Sequence, residues 1–382
     1  MNTATLPAER FRAMPSVWRG LPWAMARARG LGQSRLTLTL TMAAAVLRHR
    51  PLMRRWMAVL HELHARGLLA DLPAEYLRAV LPYVHMGVST ADRIRHLIDH
   101  ADWLEAALVP GAVRRLVSGE SLPLASLTPP RGFESMRLVL SRPARHSPEG
   151  DLLLTLALRR EERVHVAPPI ELCVVAFSCF RVEDRLCLVV GGIRGQRHPV
   201  LRLSPVEINN ALQGWKPAVF LMRVMQELAR LWDMPLLGLD ADSHFLRGWP
   251  RRLRGRNLET WQRIDESYAA FWDHFGASLR SDGWRLLPRD SDEALAATAL
   301  SPEKRARQIQ RADFWMRSAN QMRQEFKLLL QRPERRPALG RNTVSDTVAE
   351  GEAGPSSAVD SDSFLPPPQS SRVLETGPAV LN

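Results

Sequence analysis

A chain of 382 residues, 45% of them hydrophobic and 24% charged, can bury a sizeable core and has room for one large domain or two. Its formal net charge of +12 is carried almost wholly by arginine, since Lys216, Lys304 and Lys327 are the only lysines. That balance favours anionic partners, namely a membrane surface, nucleic acid or phosphorylated ligands. No apolar run reaches the roughly 18–20 residues that cross a bilayer. Cys173, Cys179 and Cys187 show neither Cys-x-x-Cys nor zinc spacing, so a disulfide framework and a zinc site are excluded and the three thiols read as core residues in a reducing compartment.

The first 60 residues hold ten arginines and one acid, Glu9. They lack a compact secretory pattern and read as a basic, surface-exposed N-terminus. Residues 1–34, rich in Arg, Pro and Gly, are expected to be loosely ordered. From Leu36 to Gly67 apolar residues recur at steps near 3.6, and Pro51 opens a new helix there. Leu68 to Pro82, Thr90 to Leu108 (with Thr90 as its cap) and Gly111 to Val117 continue a helical layer over 35–120.

A sheet-containing core follows over 133–290. Ser135 to Ser141 alternates, Asp151 to Arg159 is apolar on both sides, and two apolar runs lie between Ile170 and Val190, joined by a hairpin turn at Glu183-Asp184. Ser204 and Glu207 form a capping box. Trp215 to Trp232 is the strongest helix, with Phe220, Leu221, Val224, Leu228 and Leu231 on its apolar face, and Leu236 to Leu239 returns to strand. Leu258 to Phe275 reads as an aromatic-rich helix and Ser301 to Leu330 as a long basic one within 300–330. Residues 331–382 lack periodicity and are expected to be a disordered tail. The fold class expected is α+β: an N-terminal helical layer packed with a mostly antiparallel sheet of about five to six strands, then C-terminal helices.

Several phrases, taken in order, resemble the VirK/YbjX family of bacterial proteins. They include Leu47-Arg48-His49-Arg50-Pro51, Leu81-Pro82-Tyr83, Pro148-Glu149-Gly150-Asp151-Leu152, Phe177-Ser178 and Val190-Gly191-Gly192-Ile193-Arg194-Gly195. Leu212 to Pro217, Asp242-Ser243-His244, Tyr268 to Trp272, Leu286-Leu287-Pro288 and Ser301 to Ala306 complete the series over 35–330. The resemblance implies a bacterial protein that is cytoplasmic or associated with the inner membrane as a peripheral protein, linked to virulence, surface-protein display and cationic-peptide resistance. It implies no established enzyme activity. Partners of that kind are an anionic membrane surface or an envelope glycolipid.

Strand meander, loop, helix and strand also follow one another in an acyltransferase-like order, similar to that of the GNAT enzymes. There, backbone amides at a helix start hold the pyrophosphate of acyl-CoA. Gly214, Trp215 and Lys216 are the candidate cofactor-binding residues on that reading. Gly214 permits close approach and Lys216 supplies charge. Asp240 and His244 follow the next strand as candidate acid/base groups, and Tyr268 is a candidate proton donor. The usual Arg/Gln-x-x-Gly-x-Gly/Ala phrase is absent, which weighs against catalysis. His96 and His100, four apart on a helix, have metal-ligand spacing but equally ordinary neighbours. Nucleic-acid binding ranks third, because no helix-turn-helix, zinc-finger or RNP phrase accompanies the basic segments.

Overall fold

The N-terminal helices follow their sequence signals closely. The computed structural model describes residues 16–28, 34–69, 71–130, 132–144, 146–160, 169–197, 203–244, 268–289 and 301–330. These all lie in one compact unit spanning 1–339. The expected tail at 331–382 and most of the helix expected from Leu258 lie outside the described residues. Helix α1 (Gly20–Arg27) falls inside the segment expected to be loosely ordered; it is held because Val17 and Ala24 are buried and the Tyr76 hydroxyl donates to the Val17 carbonyl at 3.0 Å. Helices α2 (Arg35–Arg48) and α3 (Arg50–Ala65) divide at Pro51, which occupies the first turn of α3 as expected. Short α4 (Leu72–Leu77) is followed by α5 (Thr90–Ala107) and α6 (Pro110–Val117). The α5 cap is Ser89 rather than Thr90: its Oγ accepts the Asp92 N–H at 3.2 Å.

The sheet has eight strands, more than the five or six expected. They are β1 (Leu122–Leu127), β2 (Phe133–Ser141), β3 (Leu152–Arg160), β4 (Ile170–Val182), β5 (Arg185–Arg197), β6 (Leu236–Leu239), β7 (Ser278–Leu279) and β8 (Trp284–Leu287). Their order is β1-β2-β3-β4-β5-β6-β8-β7. All neighbours are antiparallel except β5 and β6. The strands that sequence reading passes over are β1, β7 and β8. The last two are only two and four residues long, too short to show a period of two. The β4–β5 hairpin turns as expected at Glu183 and Asp184, whose φ values of 48° and 62° make the left-handed turn that right-twisted strands favour.

Helices α7 (Pro205–Ala211) and α8 (Pro217–Leu231) lie between β5 and β6, residues 268–274 are helical (α9), and α10 (Pro302–Leu329) closes the described chain. The α7 capping box is present in full. Two layers enclose the sheet. Phe180, Cys187, Val189, Leu237 and Leu239 face the core of α1–α5, whereas Leu188, Val190 and Leu236 face the core that contains α8 and α10. This double covering explains why β4 reads as an almost unbroken apolar run. All three cysteines are buried, and burial pushes the Cys173 thiol up to about 12 and that of Cys187 to about 11, so neither is a ready nucleophile.

Candidate functional site

A single extra residue in β5 shapes the centre of the molecule. Phe177 pairs with Val190 and Ala176 with Gly192, so Gly191 is a β-bulge. A bulge bends its strand and disturbs the adjoining ladder. Here the parallel pairing of β5 with β6 runs only from Leu188–Leu236 to Val190–Gly238, and β5 continues without β6 to Arg197. Side chains take over its edge. His244 hydrogen-bonds the Gly191 backbone, and the Ile193 N–H donates to the Tyr268 hydroxyl at 3.1 Å. The two rings meet edge to face with centroids 6.0 Å apart.

Burial sets these two groups in opposite directions. It pushes the Tyr268 hydroxyl up to about 12, against the Ile193 hydrogen bond, and brings His244 down to about 4. Near pH 7 the pair is therefore a neutral imidazole and a protonated phenol. Glu149 lies against the same strand, with its carboxylate 3.3 Å from the Arg194 guanidinium. Asp240 is not part of this group. Its carboxylate accepts from Arg285 at 2.7 Å and from the Asp242 N–H at 3.2 Å, which commits it to ending β6.

The turn into α8 makes a second feature. Gln213 and Gly214 have φ values of 50° and 89°. The Gly214 N–H donates to Asn209 at 2.8 Å, and that of Trp215 to Leu212 at 3.0 Å. The indole N–H of Trp215 donates to the Arg311 carbonyl at 3.1 Å, and the Arg311 guanidinium lies 4.6 Å from the indole ring centre. Between this turn and α10 is an open cavity of about 1150 Å³ whose lining includes Gly214, Trp215, Arg223, Lys304, Arg307 and Arg311. Lys216 is exposed and does not line it, and neither do Asp240, His244 or Tyr268. The cavity's positive charge thus comes mainly from α10, more than 80 residues further along the chain than the turn it faces.

Sequence reading missed a buried polar network under the N-terminal helices. Asp151, 2% exposed, accepts from Arg78 on one oxygen and from Tyr83 and Ser178 on the other, the last at 2.8 Å. Its own N–H donates to Ser178 Oγ and to the Phe177 carbonyl, each at 3.0 Å. Arg78 also donates to Glu75 at 2.9 Å, and Arg142 donates to the other Glu75 oxygen at 2.9 Å. Burial alone would raise the Glu75 carboxyl, but Arg142 and Arg78 beside it hold it at about 2. The signal was present in the phrases Leu81-Pro82-Tyr83, Pro148 to Leu152, Phe177-Ser178 and Val190 to Gly195. All four meet here: the Val84 N–H donates to the Pro148 carbonyl at 2.6 Å, and Gly191 packs on Glu149. His96 and His100 have other tasks than a metal. His96 stacks on Phe180 with centroids 4.0 Å apart, and His100 Nδ1 accepts the Cys179 N–H at 3.2 Å. No group of three or more metal-ligating side chains occurs among the described residues.

Burial also lowers His96 and His146 to about 4. With His244, these histidines are neutral in the fold and take up protons on unfolding. Their contribution is fully present above about pH 6.5 and is lost as pH falls towards 4, by at most about 1.4 kcal/mol per unit for each. Asp102, raised to about 6 by burial, protonates first in the fold and offsets one histidine over that window. Urea unfolding should therefore show lower stability at pH 5 than at pH 7, with a shallower slope in His96→Phe. Equal stability at the two pH values would refute this account.

The molecule is thus an α+β protein built on a bulged, mostly antiparallel sheet, with a basic cavity at a helix start and a buried carboxylate network. The chain belongs to the family described as protein of unknown function (DUF535), whose model matches residues 33–324. This is the VirK/YbjX family that its phrases resemble. No match was found among curated proteins or solved structures.

Proposed function

We propose that the protein binds an acyl-CoA and transfers its acyl group to an amine or hydroxyl acceptor. The observation that carries this reading is the parting of β5 from β6 at Gly191, combined with the cationic cavity at the start of the connecting helix. In a parallel pair joined by a helix, the first turn of the helix lies at the carboxyl ends of the strands, where ligands of such sheets bind. The positive end of the helix dipole favours phosphate there, and Arg223, Lys304, Arg307 and Arg311 add charge. The succession of β-meander, loop, helix and strand supports the reading, since the order in GNAT enzymes is similar. The donor arm would run along the edge of β5 that β6 leaves.

Neutral His244 takes the proton of the acceptor as its nitrogen or oxygen attacks the thioester carbonyl. The C–S bond breaks and Tyr268 protonates the leaving thiolate. The proton on His244 then returns to Tyr268 through solvent, so the net products are the acylated acceptor and a thiol. An acceptor of this class suits the envelope role that the family resemblance implies. Calorimetry with acetyl-CoA and longer acyl-CoAs tests the reading. Binding should weaken about ten-fold or more in Gly214→Glu, which sets a carboxylate in the cavity, and in Arg307→Gln/Arg311→Gln, which removes charge-assisted phosphate contacts. Tyr268→Phe should bind normally and turn over about 100-fold or more slowly. Folded protein that binds no acyl-CoA would exclude this function.

A further inference from the structure

Helix α2 carries an apolar line that stays exposed among the described residues. Leu36, Leu40 and Leu47 are 70%, 59% and 70% exposed. Their spacing of four and seven residues sets them along one side of the helix. The opposite side, Leu38, Met42, Ala45 and Val46, is already buried in the core with α1, α3 and α4. The helix is thus apolar on two sides, and core packing accounts for only one.

Along the chain, the charge flanking the line is of a single sign. Residues 16–60 contain eight arginines and no carboxylate. Arg35 stands at one end of the line and Arg48 and Arg50 at the other, with Arg54 one turn further, and all four are exposed. None of them forms an ion pair among the described residues. No described helix is long and apolar enough to cross a membrane.

We infer that this face docks on an anionic lipid bilayer. The helix lies in the interface, with the three leucines among the acyl chains and the arginines among the headgroups. A bilayer supplies both things the face lacks, an apolar phase and negative charge at its border. A second copy supplies neither well. Pairing α2 with itself would set arginine against arginine with no carboxylate between them. Three leucines also fall far short of the roughly 1,200 Å² that a stable dimer buries. This docking does not depend on acyl transfer.

Sedimentation of the full chain with phosphatidylcholine vesicles, with and without phosphatidylglycerol, tests it. The protein should pellet with the anionic vesicles and lose binding with added salt. Arg48→Gln and Arg50→Gln should each weaken partitioning about five-fold. Leu36→Ser/Leu40→Ser/Leu47→Ser should weaken it about ten-fold or more, with an unchanged melting temperature because these side chains already face water. Free glycerol phosphate should not compete. Three results overturn the inference: pelleting of the triple leucine variant like the parent, competition by glycerol phosphate, or a dimer in light scattering that the leucine substitutions abolish while vesicles bind nothing.

Discussion

Asp151→Ala should destabilise the protein by about 3–5 kcal/mol, the usual cost of removing one partner from a buried ion pair. The loss is large because Asp151 is the shared acceptor of three donors from three separate segments, Arg78, Tyr83 and Ser178. Without it the Arg78 guanidinium stays buried with only Glu75 to pair with, the Ser178 hydroxyl loses its acceptor, and the Tyr83 hydroxyl keeps only Ser178 Oγ, at 2.9 Å. Arg78→Met in the same background should then cost less than it does alone, since its bond to Asp151 is already gone and only that to Glu75 is left to break. Urea denaturation of the two single variants and the double variant measures the coupling. Additive losses would show that Arg78 and Asp151 act independently.

Gly191→Ala should cost about 2–3 kcal/mol, the range for forcing a methyl group into a packed site. A Cβ there would lie 2.2 Å from the Glu149 carbonyl oxygen and 3.0 Å from the Val84 side chain. The Glu149 backbone cannot easily yield, because Pro148 accepts from Val84 and Asp151 is bonded to Phe177 and Ser178 on either side of it. A fall in melting temperature of roughly 3–5 °C follows for a domain of this size. Gly195 is the matched control. It lies in the same strand with nothing within 4 Å of its would-be Cβ, and Gly195→Ala should melt close to the parent. Calorimetry on the two variants decides the matter, and equal melting temperatures would mean that the bulge is not held by Glu149. If the acyl-transfer reading is right, Gly191→Ala should also lower acyl-CoA affinity, since it moves the strand edge along which the donor would lie.

These two sites show how much of the chemistry is distributed. Each member of the Asp151 network is unremarkable alone: Arg78 is in a short turn after α4, Tyr83 in a loop, Ser178 inside an apolar run. Nothing in a local window reports that a serine at 178 will meet a tyrosine at 83. The candidate residues chosen from sequence fared unevenly for the same reason. His244 and Tyr268 are brought together at the parting of β5 and β6, while Asp240 is drawn to Arg285 and Lys216 does not line the cavity that its neighbours Gly214 and Trp215 line. The charge expected of Lys216 is supplied by α10 instead.

Sequence alone determined what depends on neighbours along the chain. The α2–α3 break follows from Pro51, which fits a first turn and cannot continue a helix. The capping box at Ser204 and Glu207 joins residues three apart, and the β4–β5 turn needs two residues tolerant of positive φ, which Glu183 and Asp184 supply with help from the flanking strands. The four-strand meander was legible because each strand is long enough for its burial pattern to show. Tertiary structure decided the rest: the strands β1, β7 and β8, the bulge at Gly191, the basic cavity and the Asp151 network. These depend on pairings across tens to hundreds of residues, where the cost of burying a charge or a backbone group is met by a partner that no local pattern specifies.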